Sequence, residues 1–322
     1  MSKPVRSFIG FCLIILVLIV PVQAARELIP VGCVVGLQLQ NGNVCVEAID
    51  DAAGVAVLTA GVQVGDVIRK VDDIQISSCE DVRRAVERAG NTVKLTIERK
   101  GKLVQLSVPL QNRDGGKKLG LYLRQGVSGV GTVTWYDPQT GQFGTLGHSV
   151  NDPSGKLLQM TGGYAYAARV QGVRKGKIGQ PGQLLGTRTK TDPLGVLTRN
   201  TQRGLFGQTE TGWEGKALEV AESTQVKTGN ATILSNVQGE QVQEYSVEIL
   251  KIYPNRQSGG RNLLLKVTDP VLLEITGGIV QGMSGSPIIQ DGKLVGAVTH
   301  VLVNDPTTGY GIFIENMLDA AG

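Results

Sequence analysis

A serine between small residues is the first feature of this sequence that could support chemistry. The stretch GGIVQGMSGSPIIQDGKLVGAVTH, residues 277–300, places Ser284 and Ser286 among glycines, just ahead of two apolar runs joined by a Gln-Asp-Gly-Lys turn. A serine in such a loop exposes its hydroxyl while nearby backbone N–H groups stay free, and acyl transfer needs that geometry. A strand, a loop and a second strand without chemistry would share the pattern, so the serine needs partners.

The base for such a serine must be one of two histidines, because the chain has only His148 and His300. A serine hydroxyl is a poor nucleophile at neutral pH until a base takes its proton. His148 lies in FGTLGHSV, at a predicted strand end well before the serine in the chain. His300 follows Ser284 by sixteen residues, on the next predicted strand. We expect His148 to be the base and His300 to have a wall or supporting role.

A third group would have to hold the imidazole, and here the residues leave alternatives open. The aspartates at positions 152, 192, 269 and 305 all precede proline, which is also typical of a simple Asp-Pro turn. Asp192 lies in KTDPLG, and Asp269 follows the apolar run LLLKV fifteen residues before Ser284. From the residues alone, both remain candidates.

The elements that carry these residues are predicted to be mainly β. Forty-four glycines and many short apolar runs broken by Gly, Asn, Asp and Pro indicate a turn-rich protein. With 41% apolar and 19% charged residues, the composition is that of a folded chain rather than a disordered one. The net charge of +4 is modest and the lysines are scattered, which gives no sign of nucleic-acid binding.

The first 26 residues have the pattern of an export segment. Lys3 and Arg6 precede an apolar run from Phe8 to Val22, and small residues follow at Ala24 and Ala25. This order predicts a secretory signal cleaved after Ala24, or alternatively an uncleaved membrane anchor, and both place the remainder outside the cytoplasm. The exported part has three cysteines, at positions 33, 45 and 79, which allow one disulfide and a free thiol, or three reduced side chains.

Residues 27–110 are predicted to form a compact α+β unit. A turn is expected at Asn41-Gly42-Asn43, a helix in SCEDVRRAVERAG between the capping residue Ser78 and Gly90, and a hairpin turning at Lys100-Gly101-Lys102. The stretch AGVQVGDVIRKVDDIQI resembles PDZ domains. That resemblance implies a peptide-binding groove with its carboxylate-binding loop at Val35, Gly36, Leu37 and Gln38, where a peptide would add as a strand.

The rest of the chain is predicted to be a second domain. QNRDGGKKLG, residues 111–120, is polar and Gly-rich and is predicted to be a linker. Residues 121–322 contain many short strands and almost no helical periodicity, which favours a β-barrel-type domain of two halves.

The serine stretch is similar to the nucleophile loop of chymotrypsin-like serine peptidases. Together with FGTLGHSV, the PDZ-like unit and the last 55 residues, it closely resembles the SpoIVB (stage IV sporulation protein B) family of S55-type serine peptidases. The resemblance implies Ser284 as nucleophile, His148 as base, Asp269 rather than Asp192 as the third triad member, and an oxyanion hole from the N–H groups of Gly282 and Ser284. It implies neither a metal nor an organic cofactor.

The family resemblance also implies a biological role. We expect an exported endopeptidase in the space between the forespore membranes, membrane-associated before processing, that cleaves itself near its N-terminus. Its protein substrate at the membrane surface would be a regulator of a membrane-embedded pro-sigma-factor protease. The PDZ-like unit would bind a peptide, such as its own N-terminal region. The alternative from another class is a secreted PDZ-containing scaffold whose peptidase-like domain binds without cutting.

Overall fold

The structure is a computed structural model that describes residues 26–51, 55–113, 115–152, 155–254 and 260–322. Nearly all of the predicted export segment, residues 1–26, therefore lies outside the described residues. Among the helices in the described ranges, none combines the length and apolar character needed to cross a membrane.

Strands dominate every part of the described chain. The first part contains β1 (Glu27–Pro30), β2 (Val34–Ile49), α1 (Val55–Thr59), β3 (Val67–Val71), β4 (Ile74–Gln75), α2 (Cys79–Arg88), β5 (Thr92–Arg99), β6 (Lys102–Pro109), β7 (Gln111–Arg113) and β8 (Gly116–Lys118). The middle contains β9 (Leu121–Tyr136), β10 (Gln142–Thr145), β11 (Gly162–Arg174), β12 (Gln183–Thr201), β13 (Gly204–Gln208), β14 (Leu218–Glu219) and a 3₁₀ turn (Ser223–Gln225). The last part contains β15 (Gly229–Ser235), β16 (Gln243–Ile252), β17 (Leu263–Val267), α3 (Pro270–Thr276), β18 (Pro287–Gln290), β19 (Lys293–Leu302), β20 (Asp305–Phe313) and α4 (Ile314–Ala321).

Two rings of strands form the predicted two-part β domain. In the first ring, β9, β10, β13, β12, β11 and β2 pair in that order, and a further pairing between β2 and β9 closes it. Its buried core includes Val35, Leu37, Leu39, Phe143 and Leu197. The second ring is a closed barrel in the order β15-β16-β17-β20-β19-β18, filled by apolar side chains of its strands. The prediction of a mainly β fold with a barrel-type domain is confirmed.

The PDZ-like region, which we define as residues 43–125, has its own apolar core. Alternate side chains of β5 (Val93, Leu95 and Ile97) are buried against Val82 and Val86 on one face of α2. The predicted helix is present as α2, and Ser78 caps it in a capping box with Asp81. The predicted hairpin is present as β5 and β6.

The PDZ-like region and the first barrel share two strands, which the sequence analysis did not predict. Strand β2 is continuous from Val34 to Ile49, and its first half lies in the barrel while its second half pairs with β3. The expected turn at Asn41-Gly42-Asn43 is instead a bulge in this strand, where the pairing with β9 shifts register between Leu39 and Val44. The reason is that β9 continues alongside β2 on both sides of the bulge, so the chain need not reverse.

Two further expectations differ from the structure. Residues 111–120, predicted to be a linker, contain the short hairpin of β7 and β8. The last part of the chain contains α3 and α4, although the sequence showed almost no helical periodicity there. Helix α3 begins at an Asp-Pro pair, and a proline in the first turn suits a helix start because its missing N–H has no intrahelical partner there.

Candidate active site

The loop that carries Ser284, which we call the serine loop (residues 281–286), is fixed to strand β9 of the first barrel. The backbone N–H of Thr132 donates to the Ser284 carbonyl at 2.9 Å, and the Thr132 hydroxyl donates to the Gly282 carbonyl at 2.7 Å. Gly285 has a φ of 97°, and a Cβ there would lie 2.0 Å from the Thr132 carbonyl oxygen. The glycine therefore permits both the backbone conformation and the close contact that hold Ser284 between the barrels. Sequence analysis missed Thr132, one of two buried threonines in the strand segment GVGTVTWY.

The predicted oxyanion-hole groups are free to bind a ligand. In the described part of the chain, the N–H groups of Gly282 and Ser284 donate to no protein acceptor, whereas Met283 and Gly285 donate to the carbonyls of Val280 and Val298. Free backbone donors in a fixed loop are what the developing negative charge of a tetrahedral intermediate requires.

The two serines of the loop have different environments. The Ser284 hydroxyl lines the space between the barrels and donates to the Thr299 carbonyl at 2.8 Å. The Ser286 hydroxyl is fully buried and has no hydrogen-bond partner within the described chain. A substrate carbonyl can approach the first hydroxyl but not the second. Ser284, the serine preferred from the sequence, is therefore the one that lines the cleft.

His148 follows β10 on a turn with an unusual backbone. Leu146 and Gly147 both have positive φ, at 70° and 68°, and a Cβ on Gly147 would lie 2.9 Å from the Thr299 side chain. A leucine in this conformation is costly and persists only where its surroundings hold it, here with its side chain buried. The turn aims His148 at the wall that carries Thr299.

A backbone carbonyl fixes the protonation of His148. The ring Nδ1 lies 2.9 Å from the Ser149 carbonyl oxygen, which only accepts, so Nδ1 carries the proton and Nε2 carries the lone pair. Burial lowers the pKa of His148 below its ordinary value, and the Ser149 carbonyl opposes that shift in part. The imidazole is therefore neutral at pH 7, as a general base must be.

His300 lies beside His148, with 5.1 Å between the ring centroids. Burial, the neighbouring His148 and the Arg261 charge lower the pKa of His300 to about 4. Its Nδ1 is buried and has no partner in the described structure. The structure thus places His300 in the wall of the site, in agreement with the expectation from its sequence position.

These residues meet in a cleft of about 450 Å³ between the two barrels, which we call the inter-barrel cleft. The first barrel contributes His148 together with apolar residues of β2 and β9. The second contributes Ser284, His300 and their neighbours. The described lining residues are Leu37, Leu39, Val127, Gly129, Val130, Leu146, His148, Ser149, Val150, Pro181, Ile279, Val280, Gln281, Gly282, Ser284, Thr299, His300, Val301 and Val303.

Asp269, the expected third triad member, is not among the described residues that line the inter-barrel cleft. Asp269 is the N-cap of α3, where its Oδ1 accepts from the N–H groups of Val271 and Leu272 while its Oδ2 accepts from the Ser246 N–H. Both carboxylate oxygens are therefore engaged away from the inter-barrel cleft, and the group that accepts from His148 Nδ1 is the Ser149 carbonyl. The alternative, Asp192, is exposed on β12 and does not line the cleft.

The residues predicted to form the peptide-binding loop of the PDZ-like region lie outside that region in the structure. Val35, Gly36, Leu37 and Gln38 lie in the barrel half of β2, where β9 pairs with one edge and β11 with the other. A strand with both edges paired cannot accept a further strand, because its backbone groups are already bonded. This correction follows from the sharing of β2, which moves that segment out of the PDZ-like region.

The open edge next to α2 belongs to β9 instead. Leu121–Arg124 pairs with β2 on one edge, and in the described chain no strand pairs with the other. Helix α2 faces this edge, and the Cys79 thiol contacts the Leu123 carbonyl at 3.9 Å. Between them lies a groove of about 500 Å³, the α2–β9 groove, lined in part by Val82, Val86, Arg83, Lys118, Leu119 and Leu121.

The cysteines and acidic residues of the described chain do not form a metal centre. Within the described ranges, no group of three His, Cys, Asp or Glu side chains is arranged to hold a metal ion. Cys33, Cys45 and Cys79 are free thiols, and burial raises the pKa of Cys33 to about 12. A thiol with so high a pKa is unreactive at neutral pH.

Comparison with known families gives two matches that together cover most of the chain. The family described as SpoIVB peptidase S55 matches residues 115–318, and the PDZ domain family matches residues 35–110. The first match alone spans well over half of the sequence. The PDZ match begins within the barrel half of β2, so part of it covers residues that serve the peptidase.

Individual relatives are distant. A putative zinc metalloprotease from Agrobacterium fabrum is 26% identical over 202 residues, which is 62% of this chain and 50% of that protein. The chain thus spans about half the length of this curated relative. Two crystal structures of the protease Rv3671c are similar in part: the inactive form (13% identity, 60% of this chain, 82% of that chain, TM-score 0.35) and the active form from M. tuberculosis (16%, 62%, 75%, 0.34). At these TM-scores the structural similarity carries no argument about the site.

Proposed function

Because this chain belongs to the SpoIVB peptidase S55 family, we propose that it is a serine peptidase with Ser284 as its nucleophile and His148 as its general base. The observation that carries the proposal is that one cleft holds both side chains, while the Ser286 hydroxyl is buried away from it. Membership of a peptidase family also favours this function over a scaffold that binds without cutting.

The proposed reaction uses groups that line the inter-barrel cleft. The Ser284 hydroxyl leaves the Thr299 carbonyl, gives its proton to Nε2 of His148, and its Oγ forms a bond to the substrate carbonyl carbon. The N–H groups of Gly282 and Ser284 bind the resulting oxyanion. His148 then protonates the leaving amine as the C–N bond breaks, and water releases the acyl group by the same sequence of steps. The Ser149 carbonyl stabilises the imidazolium by accepting from Nδ1.

A fluorophosphonate probe tests the assignment of the nucleophile. We expect the wild-type chain to be labelled at Ser284, with mass spectrometry locating the adduct. Ser284→Ala should not be labelled, and its rate of peptide cleavage should fall at least about 10³-fold. The rate of His148→Ala should fall by a similar factor. Ser286→Ala is the matched control, since it changes the neighbouring serine and should retain labelling. Labelling that persists in Ser284→Ala but disappears in Ser286→Ala would contradict the proposal.

We also propose that the α2–β9 groove binds an extended peptide as an added strand. The open edge of Leu121–Arg124 offers backbone groups, and the apolar floor offers side-chain pockets. Fluorescence polarisation with peptides from the chain's own region before β1, residues 16–25, and with unrelated C-terminal peptides tests this. Val86→Glu should weaken binding at least about tenfold, whereas Ser128→Glu, on the same strand outside the groove, should not.

The finer biological role is likewise a proposal. We propose that the chain is exported to the space between the forespore membranes, is membrane-associated before processing, and cleaves both itself and a regulator of a membrane-embedded pro-sigma-factor protease. The apolar run Phe8–Val22 after two basic residues supports export, and the family's name supports a role in spore formation. N-terminal sequencing of the protein from sporulating cells is the test. A chain that keeps its N-terminus in wild type and in Ser284→Ala alike would contradict self-cleavage.

A further inference from the structure

The walls of the inter-barrel cleft are apolar next to the reacting groups. Leu37 and Leu39 come from β2, Val127 and Val130 from β9, and Val301 and Val303 from the end of β19 and the turn after it. Among the lining residues that the structure describes, none is Asp, Glu, Lys or Arg. The polar groups that remain are those of the proposed chemistry, with Ser149, Gln281 and Thr299.

This composition decides which substrate side chain can enter. A charged side chain in the cleft would give up its hydration and find no opposite charge among the described lining residues, which disfavours its entry. An apolar side chain gains about 25 cal/mol for each Å² of surface that it buries there. The cleft volume of about 450 Å³ exceeds what one side chain needs, so the fit is governed by polarity more than by size.

We infer that the inter-barrel cleft selects peptides with an uncharged, apolar side chain at the residue whose carbonyl is attacked. The inference rests on the proposed function of Ser284, since it places that residue's side chain against the walls while its carbonyl lies at the nucleophile. The expected substrates are peptide segments rich in aliphatic residues. Basic or acidic cleavage sites, which a charged pocket would recognise, are not expected.

Three amino-acid diphenyl phosphonates test the inference directly. They differ only in their side chain, which is that of leucine, lysine or aspartate. In the reaction, the Ser284 Oγ forms a bond to phosphorus, phenoxide leaves, and the serine proton passes through His148 to the phenoxide. We expect the leucine compound to inactivate the full chain at least about ten times faster than either charged compound.

A pair of variants assigns the preference to the cleft wall. Val127 lines the cleft, whereas its neighbour Ser128 is exposed and does not. Val127→Asp should raise the lysine-to-leucine rate ratio at least about tenfold, and Ser128→Asp should leave it unchanged. A similar change in both variants would overturn the assignment to the wall. If Val127→Asp fails to fold, the wild-type rates still decide the main point.

The outcomes separate this inference from the proposed function. If a small fluorophosphonate does not label wild-type Ser284, the proposed function fails. If it labels Ser284 but the leucine, lysine and aspartate compounds react at equal rates, the function stands and the selectivity is wrong. A faster reaction with the lysine or aspartate compound would also overturn the selectivity, because the described walls offer no charge to explain it.

Discussion

The hydroxyl of Ser284 donates a 2.8 Å hydrogen bond to the carbonyl oxygen of Thr299, one residue before His300 on β19. The proposed nucleophile is therefore bound to a backbone acceptor in the free protein instead of to its base. Catalytic hydrogen bonds are often loose in free enzymes and tighten when substrate binds. A peptide that binds in the inter-barrel cleft next to β19 would lie close to the Thr299 carbonyl. The Ser284 hydroxyl could then leave that carbonyl and turn to His148.

The close approach of the serine loop to β9 predicts that Gly285 is indispensable. Gly285→Ala combines a positive φ with a Cβ 2.0 Å from the Thr132 carbonyl oxygen, so the loop must move. We expect loss of labelling at Ser284 and a lower midpoint of thermal unfolding. The matched control is Gly292→Ala, which has a positive φ of 74° and open space around its Cβ. For Gly292→Ala, the free energy of unfolding should fall by only about 1–2 kcal/mol, and Ser284 should still be labelled. Equal labelling of the two variants would show that the contact with β9 does not position the loop.

The capping role of Asp269 leads to a prediction that opposes a catalytic one. Asn can still cap α3 through its Oδ1, but its NH2 group cannot accept from the Ser246 N–H, so Asp269→Asn should lower stability only slightly and alter turnover by no more than a few-fold. Asp269→Ala should lower the free energy of unfolding by about 1 kcal/mol, because the N–H groups of Val271 and Leu272 lose their acceptor. Urea unfolding and peptide cleavage measure the two effects. A loss of 10³-fold or more in Asp269→Asn, with normal stability, would show that this carboxylate reaches His148 in the working enzyme.

The parts of the molecule that the sequence predicted are those with a local signal. The helix at α2 has a capping residue and an apolar face, and the hairpin of β5 and β6 has strict alternation around a Lys-Gly-Lys turn. The serine loop has its glycines, and His148 is one of only two histidines. Each of these signals lies within about a dozen consecutive residues. Such local features can be predicted from the sequence without knowledge of the fold.

The parts that were missed depend on pairing between distant segments. Asn41-Gly42 is a typical hairpin turn, yet β9, some eighty residues later, keeps β2 continuous through it. The same pairing moves Val35–Gln38 into the barrel and gives the open edge to β9. Asp269 precedes proline, which fits a turn or a helix start equally well, and only its contacts to Val271, Leu272 and Ser246 distinguish the two.

The buried histidines predict that both activity and stability fall at low pH. Burial lowers the pKa of His148, so the acidic limb of kcat/KM should lie below pH 6.5, where the neutral base is lost. The pKa of His300 is about 4 in the folded chain and 6.5 ordinarily, so the unfolded chain binds more protons between these values. Stability should therefore fall as pH drops from about 6.5 to 4.

The control for this pH dependence is His300→Gln, which removes the titrating group and keeps a polar side chain. The groups that act on His300 are His148 and Arg261, and both remain in the variant. Urea unfolding at pH 7 and at pH 4.5 should show a smaller difference in the variant than in wild type. An identical difference would mean that other groups, such as carboxylates, account for the whole effect.

The sharing of β2 and β9 predicts how the PDZ-like region can be removed. Leu39 and Val127 form the last barrel pair before the bulge, so excising residues 43–124 leaves a loop of about five residues between them, which is a common hairpin length. We expect this variant to fold and to keep labelling of Ser284 within a few-fold, while it loses binding of peptides to the α2–β9 groove. A deletion of residues 27–110 is the contrasting variant. It removes Val35, Leu37 and Leu39 from the barrel core and should not fold. Thermal unfolding and the rate of fluorophosphonate labelling measure both. If the excised chain unfolds cooperatively but is not labelled, the PDZ-like region shapes the inter-barrel cleft through β9 and is more than an inserted binding module.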